Sequence, residues 1–142
     1  MMSLLLGCAS NVKPVGHYDD IIDQFVHQIE AKTTAHIKKV IDTKGSGDGS
    51  FDSSRGFYAD IKGDVQALVV RAETLEEGLP ATPLTNNFEV LQLQYDDLAI
   101  QQQKPYDENA FLKMQTAFDR SFRTIVKHLI DLKWPKESPE DK

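Results

Sequence analysis

The sequence predicts an all-α domain, an antiparallel up-down-up-down four-helix bundle, on three observations. Four segments repeat apolar residues at spacings of three and four. Links rich in glycine, proline or small polar residues separate them. No segment alternates apolar and polar residues as a half-buried strand does. The apolar spacing, close to 3.5 residues, predicts left-handed packing at shallow crossing angles.

The first helix is expected over about 18–43, with Ile22, Phe25, Ile29, His36 and Val40 on one stripe and Val26 and Ile37 beside it. The link Lys44-Gly45-Ser46-Gly47-Asp48-Gly49-Ser50 has a flexible composition, and Asp52 or Ser53 is placed to cap the second helix. That helix, about 53–78, has the cleanest stripe: Phe57, Ile61, Val65, Leu68, Ala72 and Leu75, with Leu79 just past its end. Gly78 and Pro80 stop it, and Pro83 falls in the following turn. Asn86 with Glu89 three residues later resembles a capping box that opens a third helix over about 86–103. Leu91, Tyr95 and Leu98 form its stripe, with Leu84 and Phe88 leading in. Lys104-Pro105-Tyr106-Asp107 makes a tight turn, and Asp107 caps a fourth helix within about 106–133. Its stripe is Phe111, Met114, Phe118, Phe122, Ile125, Leu129 and Leu132. The bundle is thus expected over 18–134, with a charged tail over 135–142 closed off by Pro135 and Pro139.

A chain of 142 residues, 40% hydrophobic and 27% charged, suits one folded domain with a substantial core. The formal net charge of -6 disfavours nucleic acid as a main partner. The charge is uneven: residues 52–103 hold nine acids against three bases, whereas residues 104–136 hold seven bases against four acids. Such asymmetry either pairs neighbouring helices or steers a partner. A single cysteine allows no internal disulfide.

That cysteine ends the run Leu5-Leu6-Gly7-Cys8, which resembles a bacterial lipobox. The resemblance covers about the first eight residues. It implies that the Cys8 thiol is acylated and that residues 1–7, a signal-peptide remnant, are removed. No Lys or Arg precedes the run, so it corresponds to the end of a signal, and the basic start is expected upstream of Met1. Residues 8–17 then form the acylated cysteine and a polar tether containing Asn11, Lys13 and Pro14. Two or three acyl chains, as bacterial lipoproteins carry, anchor stably where one chain does not. Ala9, rather than aspartate, follows the cysteine. In a Gram-negative host this resemblance favours the outer membrane over the inner.

Within the bundle, His36 lies near the centre of the first stripe with Thr33 beside it. At about 1.5 Å per residue, His36, Tyr95 and Met114 sit roughly 9–12 Å from the same end of their helices. They are therefore candidate members of one core layer. One reading is a buried imidazole bonded to Tyr95 or Thr33, with Met114 filling space. The other is a ligand pocket, in its sharpest form haem b with His36 and Met114 as axial ligands. Attachment of c-type haem is excluded because no C-x-x-C-H occurs.

Asp23, His27 and Glu30 share a face at spacings suited to surface ion pairing or a metal, the first being the ordinary outcome. The E-x-x-H pairs of di-iron bundles are absent, as are the alternating acids of a calcium loop around Gly45–Asp52. No nucleophile elbow or phosphate-binding glycine loop is present. Lys113, Arg120, Arg123 and Lys127 fall opposite the apolar stripe of the fourth helix and form a candidate docking face for an acidic partner or anionic head groups.

The expected function is therefore non-catalytic and cofactor-free. The protein is held at the membrane through lipid on Cys8, and its bundle contacts an envelope protein partner as an adaptor, inhibitor, immunity factor or assembly accessory. The alternative is a periplasmic ligand- or haem-binding bundle built on the His36, Tyr95 and Met114 layer.

Overall fold

The computed structural model describes residues 16–135. The lipobox-like run, Cys8 and all but Pro135 of the charged tail lie outside the described residues. Four helices account for most of the chain, with no strand among the described residues: α1 (Asp20–Thr43), α2 (Arg55–Leu75), α3 (Pro83–Gln102) and α4 (Glu108–Lys133). None is long and apolar enough to cross a membrane.

Helices α1 and α4 each begin on a local side-chain cap. The Asp19 carboxylate accepts from the Ile21 and Ile22 amides at 2.9 and 3.0 Å, satisfying first-turn donors that have no helical partner. Asp107 does the same for α4 through the Ala110 amide at 3.3 Å. Residues 44–50, expected as a flexible link, instead contribute a short 3-10 turn at Gly47–Gly49, and a second lies at Asp52–Ser54. Gly49 is buried against α1: a side chain there would strike Thr43 and approach the Lys39 carbonyl oxygen to 3.1 Å. Glycine is needed for that close approach. Neither Asp52 nor Ser53 caps α2; Asp52 instead pairs with Arg55 at 2.9 Å.

The largest departures from expectation are at the α2–α3 connection. Helix α2 ends at Leu75, not residue 78, and Glu76, the next residue, is 2% exposed. Gly78, at φ 78°, then reverses the chain. Helix α3 starts at Pro83, whose missing N–H costs nothing in a first turn. Asn86 and Glu89 thus lie inside the helix and form no capping box. The Glu76 carboxylate performs that task from a distance, accepting from the Leu84 amide at 3.0 Å and from the Thr85 amide and hydroxyl at 2.8 and 2.7 Å. A negative group at a helix N-terminus also complements the helix dipole.

Backbone contacts run α1–α2, α2–α3, α3–α4 and α4–α1, so the helices enclose one core in chain order. The diagonal pair α1 and α3 meets through side chains that cross that core. The apolar stripes of α3 and α4 are buried as expected, except that Met114 is half-buried. In α1 the buried line is Ile22, Val26, Ile29, Thr33, His36, Ile37 and Val40, with Phe25 only half-buried at the edge. Full burial of each Ile, Leu or Phe contributes about 1.5–3 kcal/mol, and this core supplies most of the driving force. Arg71 binds the Asp19 carboxylate through Nε at 3.0 Å and Nη2 at 2.9 Å, tying the start of α1 to the end of α2.

Candidate functional site

Three places combine side chains able to do chemistry or recognition: a buried polar hub around His36, a cleft between α2 and α3, and the outer face of α4.

At the hub, burial and helix register place His36 opposite the last turn of α3. Its Nε2 lies 3.0 Å from Gln102 Oε1, and its ring stacks on Phe57 at 3.8 Å. The amide nitrogen of Gln102 donates to the Gly49 carbonyl and to Ser54 Oγ, each at 2.8 Å. A carbonyl can only accept, so that end of Gln102 is the NH2 group and Oε1 faces His36. His36 Nε2 therefore carries the proton. The Tyr58 hydroxyl also donates to Gln102 Oε1, and Ser54 donates onward to the Ser50 carbonyl at 2.7 Å. Burial pushes the His36 pKa below the ordinary histidine value of 6.5; the Gln102 bond opposes this in part and Lys39 reinforces it. His36 is thus a neutral donor near neutral pH.

The layer foreseen from sequence is divided differently. His36 bonds neither Tyr95 nor Thr33, because those two bond each other, and Thr33 also donates to the Ile29 carbonyl at 2.7 Å. Burial holds the Tyr95 phenol well above its usual pKa. Met114 packs half-buried against the core from α4. Coordination of a metal through His36 Nε2 would require breaking the Gln102 bond and removing the Nε2 proton.

Sequence reasoning missed Gln102 and Glu76, although a signal existed for each. Gln102 continues the seven-residue spacing Phe88, Tyr95, Gln102, and Glu76 continues the four-residue spacing Leu68, Ala72, Glu76. Both are polar, so neither was named among the apolar stripes.

Between α2 and α3 lies a cleft of about 560 Å³. Ile61, Val65 and Val69 of α2 and Leu93 and Ala99 of α3 give it an apolar lining, with Tyr58 and Tyr95 also contributing. Its charged groups are Glu89 and Asp96 from α3 and Lys62 from α2. Helix α3 contains no Lys, Arg or His, yet it exposes Val90, Leu93 and Ile100 on the side away from the core.

On α4, Lys113, Arg120, Arg123 and Lys127 are all exposed, opposite the buried stripe. Among the described residues, none of the four makes an ion pair within 4.0 Å. Lys113 and Arg120 edge an open recess with Leu112 and Thr116. Asp23, His27 and Glu30 form a surface cluster, His27 lying 3.1 Å from Asp23 and 3.8 Å from Glu30.

Comparison with protein-family models, curated proteins and solved structures found no match.

Proposed function

We propose that this protein is a lipid-anchored component of the bacterial envelope whose helical domain acts by protein–protein contact. The bundle is up-down-up-down with antiparallel neighbours. Three cross-links support that topology: Asp19 to Arg71, the Tyr58 hydroxyl to Gln102, and the Tyr106 hydroxyl to the Ile41 carbonyl. Each ties the start of one helix to the end of another, as alternating directions require. The role is non-catalytic: adaptor, inhibitor, immunity factor or assembly accessory. In a Gram-negative host the outer membrane is favoured.

The observation that carries the contact reading is a pair of opposite-signed surfaces on one domain. Among the described residues, the α4 cations Lys113, Arg120, Arg123 and Lys127 have no acid partner within 4.0 Å, so charge asymmetry is not consumed by pairing neighbouring helices. Unpaired surface charge of this kind speeds and selects encounter with a complementary protein. The anchor reading rests on Leu5-Leu6-Gly7-Cys8 and the polar residues after it.

Two measurements test this. Mass spectrometry of the native N-terminal peptide should find Cys8 acylated, and Cys8→Ser should move the protein from the membrane to the soluble fraction. Recovery of unmodified Cys8 from native membranes would sink the anchor. Cross-linking in intact envelopes should trap a saturable partner, and the triple variant Lys113→Glu, Arg120→Glu, Arg123→Glu should reduce its yield severalfold. Absence of a saturable product with the native chain would sink the contact reading.

A further inference from the structure

The geometry points to the α2–α3 cleft as the docking site for a cationic amphipathic helix of a partner protein. The inference rests on the contact reading above and names the chemistry of its partner.

The floor supplies the apolar part. Ile61 and Val65 are buried at its base, while Leu93 stands 65% exposed at its edge. An apolar trough between two packed helices is the shape that accepts a helix through anchors at i, i+3 or i+4, and i+7. Glu89, Leu93 and Asp96 follow that same spacing along α3 and span about two turns, roughly 10 Å.

Charge selects the sign of the partner. Of nine acids within 52–103, Asp52 and Asp64 are ion-paired and Glu76 is buried as a cap. The other six, Asp60, Glu73, Glu77, Glu89, Asp96 and Asp97, have no ion pair within 4.0 Å among the described residues. Of the three bases in that stretch, Arg55 pairs with Asp52 and Arg71 with Asp19, leaving Lys62. Two of the six, Glu89 and Asp96, line the cleft itself against the single cation Lys62, so a helix bringing Lys or Arg alongside its apolar anchors is matched and an acidic one is repelled.

The α4 helix of a second copy is basic but has the wrong apolar pattern. Its exposed large apolar residues are Leu112 and Ile130, about 27 Å apart, and both cannot enter a cleft only a few turns long. The α4 face of a second copy is thereby set aside, and the occupant proposed is a helix of a different protein.

The test uses the full chain and fluorescent peptides of about three helical turns. One peptide carries leucines at i, i+3, i+4 and i+7 with lysines elsewhere; a second has the same composition scrambled, and a third has glutamate for lysine. Anisotropy should show saturable binding of the first alone, weakened by high salt. Leu93→Ser and the double variant Glu89→Lys, Asp96→Lys should each weaken it about tenfold or more, with circular dichroism unchanged. Both substitutions replace exposed side chains, so folding is preserved. Equal binding of the scrambled peptide, or binding indifferent to both variants, overturns the proposal. So does failure of the first peptide to bind, or a dimer by sedimentation that Leu93→Ser dissolves. The triple α4 variant should bind the peptide normally. Loss of this site with envelope cross-linking intact would dispose of the cleft alone, leaving the broader contact reading standing.

Discussion

The two ends of α2 hold buried polar clusters built on opposite terms. At its start, Gln102 is neutral and uses both ends of its amide, joining His36, Tyr58, Gly49 and Ser54. At its end, about 30 Å away, Glu76 is a carboxylate that serves three donors of α3. Nearby His128 is held neutral, its pKa lowered by burial despite the opposing pull of Glu76 and Asp131, and its Nε2 has no protein partner among the described residues. The first cluster binds the 44–54 segment, α1, α2 and α3 into one unit. The second only starts a helix. A network whose members all satisfy one another is worth more than separate bonds, and losing one member strands the rest.

Gln102→Leu should destabilise the domain by about 3 kcal/mol or more, because it orphans the His36 and Tyr58 donors and the Gly49 acceptor together. A urea midpoint near that of the native chain would show the hub to be dispensable. Glu76→Ala should cost less, about 2 kcal/mol, by uncapping α3 alone. Hydrogen exchange should then quicken at Leu84 and Thr85 while the hub amides stay protected.

Acidification separates the two ends further. The His36 pKa is lower folded than unfolded, so below about pH 6.5 the unfolded chain binds more protons and stability falls as pH falls. The slope from His36 is at most about 1.4 kcal/mol per pH unit, and the full contribution is present above pH 6.5. His36→Gln should flatten the stability curve between pH 7 and 5; an unchanged curve would assign the dependence elsewhere. The smallest effect is expected at His128. His128→Leu removes a buried atom without a partner and should leave stability unchanged or raise it by under about 1 kcal/mol. A loss comparable to that at Glu76 would mean that His128 supports the cap.

The four helices were legible because an amphipathic stripe is a local pattern: residues three and four apart share a face whatever lies opposite. Bounds agreed within about three residues at every end, and Asp107 was recognisable as a cap because its carboxylate and the Ala110 amide that donates to it are three residues apart. The exposed row on α4 followed from the same geometry. Local spacing failed where the partner was remote. Glu76 caps α3 across a turn, and a local capping box at Asn86 was the wrong substitute.

The amino-acid sequence by itself determined the all-helical class, the order of the helices, most of their buried faces and the opposite charges of α3 and α4. Only the tertiary structure decided who meets whom across the core. His36 finds Gln102 at a separation of 66 residues, and Thr33 finds Tyr95 at 62. Periodicity sets which side of a helix turns inward. The relative height of two packed helices depends on the links, and a shift of one turn, about 5 Å, exchanges one hydrogen-bond partner for another.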